Sequence, residues 1–313
     1  MTEAAKTIPA ELGQARERFL HLVSEVRPEL HRYCARLTGS VVDGEDIVQE
    51  ALARAFYALS MATDVPPLRP WLFRVAHNTS IDFLRRYERK HVEARADFDD
   101  VGGADDTIDP EVVRAGIAAF LELPVAQRSA VILKDVLGHS LEEIAGTMET
   151  TVPAVKAALV RGRAGLRAAR ERSAAANDTG DSRRGHAGGG DEGPAERERL
   201  QHYVALFNAR NWDGLRALMA EECRLDLVAK AARRGKEVHG YFARYDGVPD
   251  VRLAVGSVDG KPALLVFTAK EQTRPAYFIF IEWSGDRVAF IRDYRYVDYV
   301  AREAEFELAE AAG

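Results

Sequence analysis

Cysteine is nearly absent from this 313-residue chain: Cys34 and Cys223 lie far apart, and neither belongs to a CxxC pair or a Cys/His cluster. That excludes a disulfide framework and a cysteine-ligated zinc site as organising features. Long apolar runs are missing too, none approaching the roughly 18–20 residues that a membrane span needs. The N-terminus has no secretory signal, because Glu3, Glu11 and Glu17 stand where an apolar core would be. The expectation is a cytoplasmic protein with no membrane association, no metal and no cofactor. An excess of positive charge is also lacking. The formal net charge of −6 argues against a nucleic-acid binder only as a total. Local charge decides binding, and here it is unevenly distributed.

What the chain does have is helical periodicity in its first half and strand alternation in its second. Its length predicts two or three domains. After a short tail over residues 1–13, Phe19, Leu22, Val23, Val26 and Leu30 form an apolar stripe at helical spacing. In the next helix, Asp43 and Asp46 are placed for N-capping and first-turn charge. Ile47, Ala51, Ala55 and Leu59 make its buried stripe. Glu45, Asp46, Gln49, Glu50 and Arg54 remain exposed beside Val48, Leu52 and Phe56. A surface mixing acidic and apolar groups suits docking to a protein; an ordinary solvated face is the alternative. Ser60–Pro70 holds three prolines and reads as a loop.

That loop delivers RPWLFRVAHNTSIDFLRRYERK, Arg69–Lys90. Leu72, Val75, Ala76, Thr79 and Phe83 recur on the face a helix buries. Trp71, Arg74, Asn78, Arg85 and Arg89 fall on another face, with Arg86 beside them. Guanidiniums pair with phosphates, an aromatic can stack on an unpaired base, and an amide can read a base edge.

Beyond Lys90, Asp97, Asp99, Asp100, Asp105, Asp106, Asp109 and Glu111 crowd a glycine-containing stretch without apolar period, an acidic flexible linker. Helical pattern resumes at Pro110, with Val113, Ile117, Phe120 and Leu121 as a stripe. Ser140 and Glu143 form a capping-box pattern, Glu149–Thr151 a break, and Thr151 a second cap. Val155, Leu159, Gly162 and Leu166 would face inward, and Lys156, Arg161, Arg163, Arg167 and Arg170 outward. Two short helices, a tight turn and a basic second helix describe a helix-turn-helix; a plain αα-hairpin is the alternative. Ser173–Pro194, rich in Gly, Ala and Asp, is a linker and a domain boundary. The remainder reads as a helix over Glu196–Met219, a short strand over Cys223–Val228 and a helix over Lys236–Tyr245. Strands separated by the turns Asp259-Gly260 and Gly285-Asp286 follow. Helices followed by an antiparallel meander indicate an α+β domain with a curved sheet wrapped on helices.

With these residues in view, Phe19–Arg172 resembles bacterial sigma factors of the extracytoplasmic-function group. DGEDIVQEALARAF, RPWLFRVAHNTSIDFLRRYERK and LPVAQRSAVILKDVLGHSLEEIAGTM carry the resemblance, in the family's order and around an acidic linker. The C-terminal part resembles a SnoaL-like domain of the NTF2-like cone fold, through DGLRALMAEECRLDLV, GKEVHGYF and RDYRYVDYV. The resemblance implies an all-α part of two domains, 14–92 and 111–172, joined by the linker 93–110. A second linker, 173–195, leads to a regulatory α+β domain, 196–313.

It further implies partners. Asp43, Asp46, Gln49, Glu50 and Phe56 would dock on the β′ clamp of core RNA polymerase, and the second helical domain on the β flap. Trp71, Arg74, Asn78, Arg85, Arg86 and Arg89 would engage the promoter −10 element, with Asn78 at the base-contacting position. Thr151, Ala154, Lys156, Ala157, Arg161 and Arg163 would face the −35 element, and the acidic linker would thread the RNA channel. Pro153, Ala154, Ala157 and Ala158 depart from the polar residues that the family often has early in the recognition helix. Phosphate contacts from Lys156, Arg161 and Arg163 are therefore expected to carry much of the −35 affinity.

Cone folds of this type include isomerases and cyclases, so Asp226, His239, Tyr241, Asp293 and Tyr294 are candidate pocket residues, with a carboxylate as general base. Against that, Asp293 can pair with Arg292 or Arg295, and no spacing among the five dictates catalysis. The expectation is a non-enzymatic promoter-specificity subunit whose last domain modulates it by contact with the helical part. A one-component helix-turn-helix regulator with a ligand-sensing domain is the alternative, and an enzyme built on the cone is a third reading.

Overall fold

The computed structural model describes residues 4–61, 66–88, 112, 117–178, 194–245, 247–248 and 250–309. Its contacts fall into two units, Met1–Ser182 and Arg183–Gly313. The acidic linker expected over 93–110, and Arg89, lie outside the described residues.

In the first unit, α1 spans Ala4–Thr38. It therefore covers most of the expected tail. Ala4, Ala5, Ala10 and Glu11 are strong helix formers, and propensity extends a helix whose register the later apolar stripe sets. Gly39 ends it at φ +82°, a left-handed conformation open to glycine. The next helix, α2 (Val41–Met61), is capped by Ser40, whose Oγ accepts from the Asp43 N–H at 3.2 Å. Asp43 thus sits in the first turn and is not the cap. Pro70 falls in the first turn of α3 (Leu68–Glu88), where a missing N–H leaves no internal bond unmade.

Where a continuous helical stripe was expected, Ile117–Glu122 is a 3-10 turn. With three residues per turn, Ile117 and Phe120 eclipse and both are buried, while Leu121 rotates out and is 41% exposed. There follow α4 (Val125–Val131), running on into a π-helical Ile132–Val136, then α5 (Leu141–Thr147) and α6 (Val152–Asp178). Helix α6 carries through the alanines expected to open the second linker. One continuous apolar core joins Phe19, Leu30, Tyr33, Ile47 and Phe73 to Phe120, Leu133, Ile144, Leu159 and Leu166. The two helical domains read from the sequence therefore share a single interior.

The second unit opens with α7 (Pro194–Asn208) and α8 (Trp212–Leu218) in place of one helix. Arg210 at φ +58° breaks the run, and Asn211 caps α8 through its side-chain oxygen on the Gly214 N–H, 2.9 Å. The strands are β1 (Met219–Leu227), β2 (Ala231–Arg234), β3 (Arg252–Val258), β4 (Lys261–Phe267), β5 (Tyr277–Ser284), β6 (Arg287–Asp293) and β7 (Phe306–Leu308). A 3-10 segment, Gly235–Tyr245, replaces the helix expected there, and α9 (Asp298–Glu303) precedes β7. The sheet order is β2-β1-β6-β5-β4-β3-β7. The meander β3 to β6 is antiparallel as expected, but β1 joins β6 in parallel, Leu227 opposite Asp293. The inner face of the sheet packs Leu225, Leu264, Ile279 and Ile291 against Tyr203, Phe207, Leu215 and Phe242. The fold is α+β and matches the NTF2-like cone in class. Among the described residues no helix is long and apolar enough to cross a membrane.

Candidate nucleic-acid interface and the interior of the second unit

Helix α3 is held in one rotational setting from below. Leu72, Phe73, Ala76, Thr79 and Ser80 are buried. His77 is buried as well, its Nδ1 bonded to the Tyr33 hydroxyl of α1 at 2.6 Å. Burial lowers the His77 pKa to about 4, so the ring is neutral. That anchoring leaves Arg74, Asn78 and Arg85 exposed, and Trp71 half-buried against the core. Steps of three, four and seven residues put these four on one face. Asn78 makes no hydrogen bond among the described residues, which leaves its amide available to a base edge. Arg86 leans off that face toward α2, 3.8 Å from Glu50.

On α2, Asp46 is exposed, Asp43, Gln49 and Glu50 are half-buried, and Phe56 is 42% exposed. Tyr57 and Met61, which the sequence reading passed over, extend the apolar patch. Glu45 does not belong to this surface: it is fully buried and paired with Arg27 of α1. The two are 18 positions apart, so helical periodicity alone had left Glu45 outside.

The helix-turn-helix forms as read. The Ser140 hydroxyl accepts from the Glu143 N–H at 3.2 Å while the Glu143 carboxylate accepts from the Ser140 N–H at 2.8 Å. Glu149 turns the chain at φ +52°, and Thr151 Oγ1 accepts from the Ala154 N–H at 3.4 Å. Val155, Leu159 and Leu166 are buried, and each such side chain contributes about 1.5–3 kcal/mol. Gly162 lets α6 lie close on α4, since a Cβ there would come within 2.5 Å of Val131. Thr151, Ala154 and Lys156 are exposed, and Ala157 and Arg161 half-buried.

Arg163 is a correction. Its guanidinium is buried and forks onto Asp135, Nε to Oδ2 at 2.9 Å and Nη2 to Oδ1 at 2.6 Å. Asp135 is 28 positions away in sequence, so no local pattern marks the pair, and Arg163 is not an outward phosphate contact.

In the second unit, two of the five candidate pocket residues meet. The Tyr241 hydroxyl donates to Asp293 Oδ2 at 2.7 Å. Around them gather groups the sequence reading did not single out for the pocket. Arg295 places Nε 3.3 Å from Asp293 Oδ2, and its N–H donates to Oδ1 at 2.9 Å. Tyr245 lies between Tyr241 and Tyr277, at 3.2 and 3.3 Å. Burial raises the Asp293 pKa above the usual carboxylate range, opposed by Arg295. The Tyr241 and Tyr245 hydroxyls are pushed well up by burial. Tyr294, the next residue along, stacks on Phe278 at 4.3 Å with Phe280 near, away from Tyr241. His239 is exposed, and Asp226 faces Arg292 at 3.3 Å. These three do not join the Asp293 cluster: Tyr294 follows Asp293 directly, Asp226 on β1 lies in register with Arg292, the strand neighbour of Asp293, and side chains alternate across a strand, while His239 stands exposed on the 3-10 segment. Among the described residues no group of His, Cys, Asp or Glu could hold a metal ion.

Comparison with known proteins places these parts in a family. Residues 22–90 match the family described as Sigma-70 region 2, and residues 117–166 the one described as Sigma-70, region 4. The ECF RNA polymerase sigma factor SigG of Mycobacterium tuberculosis is 29% identical over 85% of this chain and 78% of its own length. SigL of the same species, also an ECF RNA polymerase sigma factor, is 33% identical over 42% of this chain and 78% of its own. The crystal structure of the Mycobacterium tuberculosis extracytoplasmic function sigma factor SigJ covers 88% of this chain and 95% of its own, at 20% identity and TM-score 0.32. The chain belongs to the ECF sigma factors of the sigma-70 family, the promoter-recognition subunits of bacterial RNA polymerase.

Proposed function

We propose that the exposed α3 face, Trp71, Arg74, Asn78 and Arg85, takes the melted −10 strand, with Arg86 beside it and Arg89, next in sequence after α3, adding a further phosphate contact. The helix-turn-helix takes the −35 duplex through Thr151, Ala154, Lys156, Ala157 and Arg161. The observation that carries this reading is the α3 face itself: one aromatic, one unengaged amide and two guanidiniums, aimed outward by a buried Tyr33–His77 anchor. An unpaired base costs a few kcal/mol to expose, which stacking and edge contacts offset. The α2 patch of Asp43, Asp46, Gln49, Glu50 and Phe56, widened by Tyr57 and Met61, docks on the β′ clamp, and the second helical part on the β flap. The acidic stretch threads the RNA channel. The protein works in the cytoplasm and performs no covalent chemistry. Its SnoaL-like C-terminal unit modulates initiation through contact with the helical unit.

Run-off transcription with core RNA polymerase over a promoter library tests the whole reading. Promoter-dependent transcript is expected, and a chain ending at Ser182 should change its amount but not promoter choice. DNA binding with no transcript would return the one-component regulator. Asn78→Ala should lower open-complex formation, read by permanganate reactivity of unpaired thymines, about fivefold or more, for a loss of about 1–3 kcal/mol. Closed-complex association should hardly change. Melting left intact in that variant would remove the −10 assignment.

A further inference from the structure

We infer that the second unit holds a binding cleft for a small apolar amino acid, taken as its zwitterion, at the end of β5 remote from Asp293. The cleft has a volume of about 310 Å³, at the small end of the roughly 300–1,000 Å³ in which small-molecule sites fall. Three elements wall it. Glu198, Arg199 and His202 come from the first half of α7, Leu218 from the end of α8, and Trp283 and Asp286 from the end of β5 and the turn after it. Steps of three and four residues set the three α7 side chains on one face. Tyr277, in the Asp293 cluster, opens β5, and Trp283 stands six residues on, roughly 20 Å along the strand at about 3.3 Å per residue. The cleft is therefore separate from the five pocket candidates read from the sequence.

Its walls are tied in place. Trp283 shares a strand face with Ile279 and Ile281 and packs against the same apolar interior. Arg287, the first residue of β6, donates from Nη1 to the Ala217 carbonyl at 2.7 Å and reaches the Met219 carbonyl at 3.4 Å. That arginine fastens the β5–β6 turn to the end of α8.

The lining chemistry has two signs. Arg199 lays its guanidinium 5.4 Å over the Trp283 ring. Its side chain is 32% exposed, and its 4.0 Å contact with the fully exposed Asp286 is at the outer limit of an ion pair, so that contact holds it only weakly. Arg199 Nε and Trp283 Nε1 are buried and have no hydrogen-bond partner in the structure. Buried donors are rarely left unpaired, and a carboxylate supplies two acceptors that a guanidinium takes in a fork. With Arg199 lifted off the indole, one carboxylate reaches both donors. Glu198 and Asp286, exposed at the rim, carry the opposite sign and suit an ammonium. An α-amino acid brings those two charges on neighbouring atoms, and Leu218 with the indole edge takes its apolar side chain. A polyanion would set its charge against Glu198 and Asp286. A plain amine would leave both buried donors unpaired.

Titration calorimetry on the full chain tests this with L-valine, L-leucine, L-isoleucine, L-methionine and L-phenylalanine. At least one should bind with Kd on the order of 0.1 mM, the range open to about ten heavy atoms. The amine and the deaminated acid of that amino acid (for leucine, isoamylamine and 4-methylpentanoate) should each bind about tenfold more weakly or worse. Glu198→Gln, at an exposed position, should weaken the amino acid about fivefold and leave the acid no weaker. Arg199→Gln should weaken the amino acid and the acid but not the amine. Circular dichroism of both variants should match wild type. The inference is overturned if none of the five binds below about 10 mM. It is overturned equally if the amine or the acid matches its amino acid, or if both variants bind as wild type does. The readout is binding alone, so loss of the promoter reading would leave this site standing.

Discussion

Arg163→Ala is expected to destabilise the helical unit by about 3–5 kcal/mol, because it strands a buried carboxylate. Asp135 is fully buried at its side chain, and the Arg163 fork is its direct charge partner. For a unit of this size the loss corresponds to a drop on the order of 10 °C in the midpoint of thermal unfolding. Lysine should not rescue it, since a point charge cannot reproduce two parallel N–H···O bonds. The pair D135L/R163M should recover most of the stability, because paired replacement by apolar groups of similar volume is near neutral. If Arg163 were a phosphate contact, Arg163→Ala would leave the melt unchanged and lower the salt slope of −35 binding by about one. That second signature is expected of Lys156→Ala, whose side chain is exposed. Melts of the three variants, with binding to a −35 duplex across a salt series, separate the roles.

The contrast between Lys156 and Arg163 shows what the sequence could carry. Helical spacing placed Val155, Leu159, Gly162 and Leu166 correctly against the core, and the Ser140–Glu143 box marked the helix start to the residue. Such features are local, and local chemistry dictates them. Asp135, Arg163, Glu45 and Arg27 are governed by which helix lies opposite, and polarity alone made them look solvated. Sharing of one core by the two helical domains was likewise illegible: each stripe reads as an inward face without naming what it packs against. In the second unit the strands and turns were visible in alternation and in Asp259-Gly260, where both residues take positive φ. The parallel β1–β6 pairing was not, since register across a long connection leaves no mark on either strand. That pairing brings Asp293 to the inner face with Tyr241. It also sets Asp226 in register with Arg292, the strand neighbour of Asp293, and so apart from the cluster.

In the Asp293 cluster the same logic gives the largest effect in the second unit. Asp293→Ala should cost about 3–5 kcal/mol, because it leaves the mostly buried Arg295 guanidinium and the Tyr241 hydroxyl without their acceptor. Asp293→Asn keeps the shape and loses the charge, and it isolates the pH dependence. The folded-state pKa of Asp293 is raised, chiefly by burial. A carboxyl raised on folding binds its proton more tightly in the native state than in the unfolded one. Its contribution is therefore fully present below the unfolded value, 3.8, and is lost as pH rises through the folded value. Wild type minus Asp293→Asn stability should thus fall as pH rises above 4 and level off once Asp293 is ionised. Other carboxylates titrate equally in both proteins and cancel in the difference. Trp212 and Trp283 both lie in the second unit, so their fluorescence in a Trp71→Phe background reports its unfolding alone. A difference that rises with pH would mean that Arg295, not burial, dominates Asp293. The carboxylate would then be an ion pair holding the chain after β6 in place, its proton long gone at any pH where the protein works.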